Sequence, residues 1–373
     1  MNRDAIILST TNFFGGGEIF QIKLAALLQH HIRLVVVSPF LPKLKSGLAE
    51  SGAGFVGLPA HGGLALRWAL LRWLWRQRRV IRANRTLMVL NGRQAAYLAP
   101  MVRLLTGGAP VILSQTALSM RAGDIKESLY GIAARFARCV VTVSDAIAAQ
   151  HIQRWPGLAV KSIPNWMDDM EGSTAVLPQD DLPFAEIIRA AVVARLAPGK
   201  GVEDVVAVCA ELQGIELHVY GDGPMRDQFD KMGGQFVWLH VHGHVDDLSR
   251  RLPAHSILIS GSYSESFSYA VAEGIQAGLL CVLTDIPAHR ELLGDSYPEG
   301  LFFPPGNRAA LKHALQTART LLVNDHGAGA HRAVSAAMAR IAMRNAPAVA
   351  RQRYLAVLTD AGVGVAVCND PGR

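Results

Sequence analysis

The sequence predicts an α/β protein of two Rossmann-like lobes facing across a cleft, each a parallel sheet with helices on both faces. Three observations predict it. Short apolar runs alternate with helical segments along the whole chain, the pattern of a parallel sheet buried on both sides. One stretch, Met170–Pro183, breaks the alternation with Gly, Ser, Pro and a run of acids. Charge changes sign there: Met1–Met167 carries 20 Lys and Arg against 6 Asp and Glu, net +14, and the rest carries 17 against 24, net −7. The expected division is a first lobe over 1–169, a linker over 170–186, a second lobe over 187–346 and a closing segment over 347–373.

In the first lobe, Ala5–Ser9, Arg33–Ser38, Gly54–Leu58, Leu87–Leu90, Val111–Ser114 and Cys139–Val143 read as strands. Glu18–Gln29 and Leu64–Arg82 read as helices between them. The second series is Ile188–Ala194, Glu216–Tyr220, Phe236–Leu239, Ser256–Ile259 and Leu280–Thr284.

A chain of 373 residues, half of them hydrophobic and 18% charged, has the material for two cores and excludes a disordered chain. No apolar run is long enough to span a bilayer, and Met1–Thr11 reads as a first strand rather than a signal segment. Four scattered cysteines without a CxxC pair fit a reducing compartment, so the expected location is cytoplasmic. The basic first lobe should meet an anionic partner. No nucleic-acid module is recognisable, which leaves a phosphorylated acceptor or a membrane. Leu64–Arg82 favours the membrane. Leu66, Leu70, Trp73, Leu74, Val80 and Ile81 form its core side, and Arg67, Arg72, Arg76, Arg78, Arg79 and Arg82 the opposite one. Trp68, Leu71 and Trp75 project between them, as in a helix lying on the inner face of a membrane.

The residues that carry chemistry lie where strands give way to helices. Gly15, Gly16 and Gly17 follow the first strand and open a helix, so the Gly16 and Gly17 amides can approach a phosphate. Arg195 and Lys200 fall in the turn after the first strand of the second lobe, two cations suited to a diphosphate. Gly221 and Gly223, in the Gly-Asp-Gly-Pro turn ending at Pro224, let the backbone pass close to a nucleotide. Glu265 and Glu273 are separated by seven residues. With a helix starting near Phe267, the amides of Ser266, Phe267 and Ser268 face a leaving diphosphate. Glu265 then reaches sugar hydroxyls, and Glu273, two turns along, reaches ribose hydroxyls.

These motifs, with Ser144-Asp145-Ala146, Ile163-Pro164-Asn165 and Gly243-His244-Val245, occur in an order that resembles the group-1 glycosyltransferases, retaining enzymes of the GT-B fold. The resemblance implies a nucleotide-sugar donor in the C-terminal lobe and an acceptor in the N-terminal lobe. It also implies a last helix, Pro347–Ala361, crossing back to the first lobe. The family places a His after the strand Val111–Ser114; this chain has Gln115. Its Pro-Asn-Gly is Pro164-Asn165-Trp166 here, and its Glu-Gly-Phe-Gly is Glu265-Ser266-Phe267-Ser268.

The resulting expectation is a retaining hexosyltransferase using a UDP- or GDP-linked sugar and a lipid-linked or glycan acceptor. Arg195, Lys200, Glu265 and Gln115 are its catalytic set. Gly278–Pro287 is similar to a segment of mannosyltransferases of exopolysaccharide assembly, which keeps GDP-mannose in view. No Asp-x-Asp follows an apolar strand, so no metal is expected at the diphosphate. His240, His242 and His244 alternate as if on one strand face. A transition metal fits such a face, but a strand edge with His244 near the nucleotide base is the preferred reading. A nucleotide-sugar epimerase would need acid and base groups where Gln115 stands, and a non-catalytic subunit would have no use for an intact donor set.

Overall fold

Two all-parallel sheets hold every strand of the described residues of the computed structural model, which are 4–11, 16–59, 63–116, 125–168 and 187–359. The first comprises β1 (Asp4–Ser9), β2 (Arg33–Pro39), β3 (Gly54–Leu58), β4 (Leu87–Asn91), β5 (Val111–Ser114), β6 (Cys139–Thr142) and β7 (Val160–Ser162). Its order is β3-β2-β1-β4-β5-β6-β7. The second comprises β8 (Ile188–Val193), β9 (Ile215–Tyr220), β10 (Leu239–Gly243), β11 (Ile257–Ser260), β12 (Leu280–Thr284) and β13 (Phe302–Phe303). Its order is β10-β9-β8-β11-β12-β13. The fold class read from the sequence is therefore the observed one: two doubly wound α/β lobes.

Central strands such as β5 and β6 are buried at every residue, as strands covered on both faces must be. In each sheet the chain reverses its direction of travel once, between β1 and β4 and between β8 and β11. Such reversal points, beyond the carboxyl ends of the strands, are the usual ligand position in open parallel sheets.

One unit comprises the described residues to Pro164 together with Pro347 onward, and the other Asn165–Ala346. The helix Pro347–Leu358 packs in the first unit, where Tyr354 is fully buried and lies 6.4 Å, ring to ring, from Phe20. In the second, the Asn345 side chain donates to the Asn165 carbonyl at 2.7 Å, and Met167 N–H donates to the Asn345 carbonyl at 2.9 Å. The expected linker, 170–186, lies outside the described residues, as do Gly15 and Cys368. The other three cysteines are buried free thiols.

Four expectations need correction. The strand expected at Phe236–Leu239 begins where that run ends, at Leu239. Val237 is 95% exposed, and the edge strand is the segment in which His240 and His242 alternate. β7 and β13 were not anticipated, being three and two residues long. The helix Gly63–Ala83 buries only Leu66, Leu70, Leu74 and Ile81. At about 100° per residue, Val80 falls about 85° from the centre of that stripe and is exposed. Leu71, expected to project, packs with Trp73 against the first-lobe core instead.

Candidate functional site

Three loops at the carboxyl edge of the second sheet are laced together by backbone contacts. After β8, Ala194 N–H donates to the Tyr220 carbonyl at 3.0 Å and Leu196 N–H to the Asp222 carbonyl at 2.9 Å. Such close approach needs glycine opposite: a Cβ on Gly221, at φ +137°, would stand 1.9 Å from the Ala194 carbonyl oxygen. The β8 loop meets the β11 loop in the same way. Gly201 and Gly261 pass so closely that a Cβ on Gly201 would lie 2.2 Å from the Gly261 oxygen, and Tyr263 N–H donates to Gly199 at 2.9 Å. The motif glycines thus fix one loop against another.

This lacing brings together residues far apart in sequence. Lys200 Nζ donates to Glu265 Oε1 at 2.6 Å, both side chains mostly buried. Arg195 is exposed in the same β8 loop. Beneath Glu265 the β11 loop is anchored by Thr284, whose hydroxyl donates to the Ser262 carbonyl at 2.6 Å. Fully buried His289 lies 2.8 Å through Nδ1 from the Thr284 carbonyl and 3.5 Å through Nε2 from the Ser260 hydroxyl. Burial, the largest influence, holds the His289 imidazole below its ordinary range, with Lys200 lowering it further and the Thr284 carbonyl and Glu265 opposing. A neutral ring fits the two neutral partners it touches.

The helix after Glu265 runs Tyr269–Gln276, with Ser268 at its N-cap. It starts two residues later than expected, because Phe267 is still in the loop, its ring 4.9 Å from that of Tyr269. Glu273 therefore lies one turn into the helix rather than two. Val271, Ala272 and Ile275 bury the opposite side against the core. Ser266 and Phe267 are half-buried and Ser268 is buried.

At the carboxyl edge of the first sheet, Gln115 Nε2 donates to Asn91 Oδ1 at 2.6 Å. Its Oε1 lies 3.3 Å from where a Cβ on Gly17 would stand. Gly16 and Gly17 open the helix Gly16–Leu28, so Gln115, Asn91 and the Gly17 backbone form one polar group at the first sheet's reversal point. Asn91 was missed; its signal, a polar residue ending an apolar strand before Gly92, is common in any α/β sheet. Ser144 proves to be a helix cap, its hydroxyl accepting from Ile147 N–H at 3.3 Å.

The three alternating histidines do not stay together. His240 and His242 lie on β10, while exposed His244 follows it and sits 3.4 Å from Asp246. His240 instead joins Glu216 and His218 of β9.

Residues 188–320 match the model of the family described as glycosyl transferases group 1, which bears out the resemblance drawn from the motifs. No curated protein matches by sequence. Among solved structures, Anabaena Alr3699/HepE in complex with UDP superposes with a TM-score of 0.77 at 17% identity, over 96% of this chain and 99% of that one. A glycosyltransferase from Rickettsia africae ESF-5 gives 0.74 at 15%, over 96% and 98%. The apo form of the lipopolysaccharide outer core galactosyltransferase WaaB gives 0.72 at 15%, over 96% and 99%. At these identities the likeness establishes the GT-B fold.

Proposed function

We propose that this glycosyltransferase of the group-1 type is a retaining hexosyltransferase, moving a sugar from a nucleotide diphosphate to a cell-envelope or polysaccharide acceptor. The observation that carries the reading is the meeting of Lys200 with Glu265 at the reversal point of a lobe that matches the family. The Anabaena protein was solved with UDP and also with UDP-glucose, which supports a UDP-sugar donor here, with GDP the alternative base.

In this reading Arg195, Lys200 and the amides of Ser266, Phe267 and Ser268 stabilise the departing diphosphate. The Gly16 and Gly17 amides are further donors available in the first lobe. Glu265 holds sugar hydroxyls, Glu273 the ribose and His244 the base, while Gly221 and Gly223 let the backbone approach the nucleotide. Attack comes from the face the leaving group vacates, through an oxocarbenium-like transition state, and the acceptor's proton passes to the leaving phosphate oxygen. No strong protein base is then needed, which suits Gln115, an amide that can orient the acceptor but cannot take its proton. Fixed donors of this kind stabilise developing charge without reorganising, so the step needs no divalent metal.

The acceptor is lipid-linked, reached from an anionic membrane on which the helix Gly63–Ala83 lies. Among the described residues no helix is long and apolar enough to cross a membrane, but this one keeps apolar rings in solvent. Trp68 is 70% exposed and Trp75 55%, and the Arg78 guanidinium lies 4.1 Å from the Trp75 ring centre. Exposed Trp interleaved with Arg matches an interfacial helix.

The reading is tested by thermal unfolding with UDP, GDP and their sugars, followed by NMR of the product's anomeric proton. One nucleoside diphosphate should stabilise, by about 2.7 kcal/mol at 100 times its Kd, and the product should keep the donor's configuration. Stabilisation by neither nucleotide, or an inverted product, refutes the reading.

A further inference from the structure

The second sheet holds a cluster of titratable side chains that the donor site does not use. Successive residues of a strand face opposite sides, so Glu216 and His218 share one face of β9, and His240 and His242 one face of β10. The parallel register sets His240 beside His218; it shifts at His242, whose Nε2 nonetheless lies 2.9 Å from His218 Nδ1, so all four are on the same side of the sheet. Glu216 Oε1 lies 3.0 Å from His240 Nε2 and 3.3 Å from His218 Nε2. Two imidazole nitrogens thus converge on one carboxylate oxygen. His218 Nε2 is buried yet makes no hydrogen bond.

The spacing would admit one metal ion. Zinc binds N and O ligands at about 2.0–2.2 Å in a tetrahedron, which sets ligand atoms roughly 3.3–3.6 Å apart. The three atoms here all lie within 4.8 Å of one another, two of the separations within a few tenths of an ångström of that spacing. Ligands of a real site are held by outer partners, and these are present. His218 Nδ1 is 2.9 Å from His242 Nε2, and Arg189 Nε donates to Glu216 Oε2 at 3.1 Å. His255 closes the buried side, its ring edge-on to His218 at 4.8 Å and its Nδ1 3.1 Å from the Arg251 carbonyl. His240, 39% exposed on the edge strand, is the solvent-facing member of the group.

We propose that Glu216, His218 and His240 bind one zinc ion, with the fourth position open to solvent beside His240. Two imidazoles and one carboxylate with a free position form a recurrent zinc ligand set, and imidazole ligands favour zinc over magnesium or calcium. The ion ties edge strand β10 to β9. It takes no part in stabilising the diphosphate, so the proposal stands or falls separately from the glycosyltransferase reading.

The test uses the full chain, stripped with EDTA and dialysed. Co²⁺ is titrated in and followed by its visible absorption, then displaced by Zn²⁺, with bound metal counted by elemental analysis. The expected result is one equivalent, with the intense absorption of tetrahedral cobalt. His240→Ala and Glu216→Gln should abolish binding, and His242→Ala should weaken it by about 10–100-fold. His244→Ala, beyond the end of β10, should bind as the wild type does. His240 is half-exposed and Glu216→Gln keeps the side-chain shape, so thermal melts should show both variants folded. Absence of saturable one-to-one binding, binding unchanged in His240→Ala, or binding lost in His244→Ala would each overturn the proposal.

Discussion

The pair formed by Lys200 and Glu265 lends itself to a double-mutant cycle. Their side chains are 28% and 20% exposed at an N–O distance of 2.6 Å. Fully exposed pairs contribute about 0.2–1 kcal/mol, whereas a hydrogen bond to a charged group contributes about 1.5–3 kcal/mol. A mostly buried pair with one hydrogen bond falls between, so the coupling energy should be about 1–2 kcal/mol. Removing one partner leaves the other charge poorly solvated. Lys200→Ala and Glu265→Gln should therefore each destabilise the second lobe, and the double variant little more than either alone. Denaturant unfolding of the four proteins measures the coupling, and a value within error of zero refutes the ion pair. The same variants separate structure from chemistry. Losing one fixed transition-state contact costs about 10²–10³ in rate, or about 2.7–4 kcal/mol, more than the expected loss of stability. Glu265→Gln should thus remain folded at assay temperature with transfer reduced at least a hundredfold, and Lys200→Ala should weaken nucleoside diphosphate binding as well. Near-normal turnover in either removes that residue from the donor site.

Four further outcomes follow from the geometry. Gly221→Ala should cost about 2–6 kcal/mol, combining about 1–3 for a strained positive φ with about 1–3 for overpacking against the Ala194 carbonyl; a second-lobe melting temperature within 1 °C, roughly the resolution of a melt, would show the loops are not so tightly laced. Transfer should survive EDTA without added Mg²⁺ or Mn²⁺, and a strict requirement restored by either ion would replace the cationic leaving-group site with a metal one. Burial holds His289 and His151 below the ordinary His range, so the unfolded chain takes up protons first as pH falls. Stability from these rings is complete above about pH 6.5 and lost below it; a melting temperature flat from pH 7 to 5 contradicts that. Changing Arg72, Arg76 and Arg79 together to Glu should cut binding to anionic vesicles by about a hundredfold or more, at about 1 kcal/mol per basic residue; equal sedimentation of wild type with neutral and anionic vesicles removes the membrane.

The sequence by itself determined the two-lobe parallel architecture and nearly every strand, because both are local matters. Buried strands must be continuously apolar, and the loops that join them announce themselves by glycines that no other residue could replace, such as Gly221. Composition alone marked the Arg/Trp-rich helix, though only packing showed that its buried stripe excludes Val80 and takes in part of Leu71. Tertiary structure alone decided which distant side chains touch. Lys200 and Glu265 are 65 residues apart and Asn165 and Asn345 180, and no periodicity links residues across such separations. The alternation of His240, His242 and His244 would place all three on one face of a strand, yet the strand ends at Gly243, leaving His244 outside. The register of β10 on β9 set His240 beside His218 instead. Parallel pairing is chosen by the packing of whole sheets, so the partners of a side chain on one strand are written in another strand's position and not in its own neighbours.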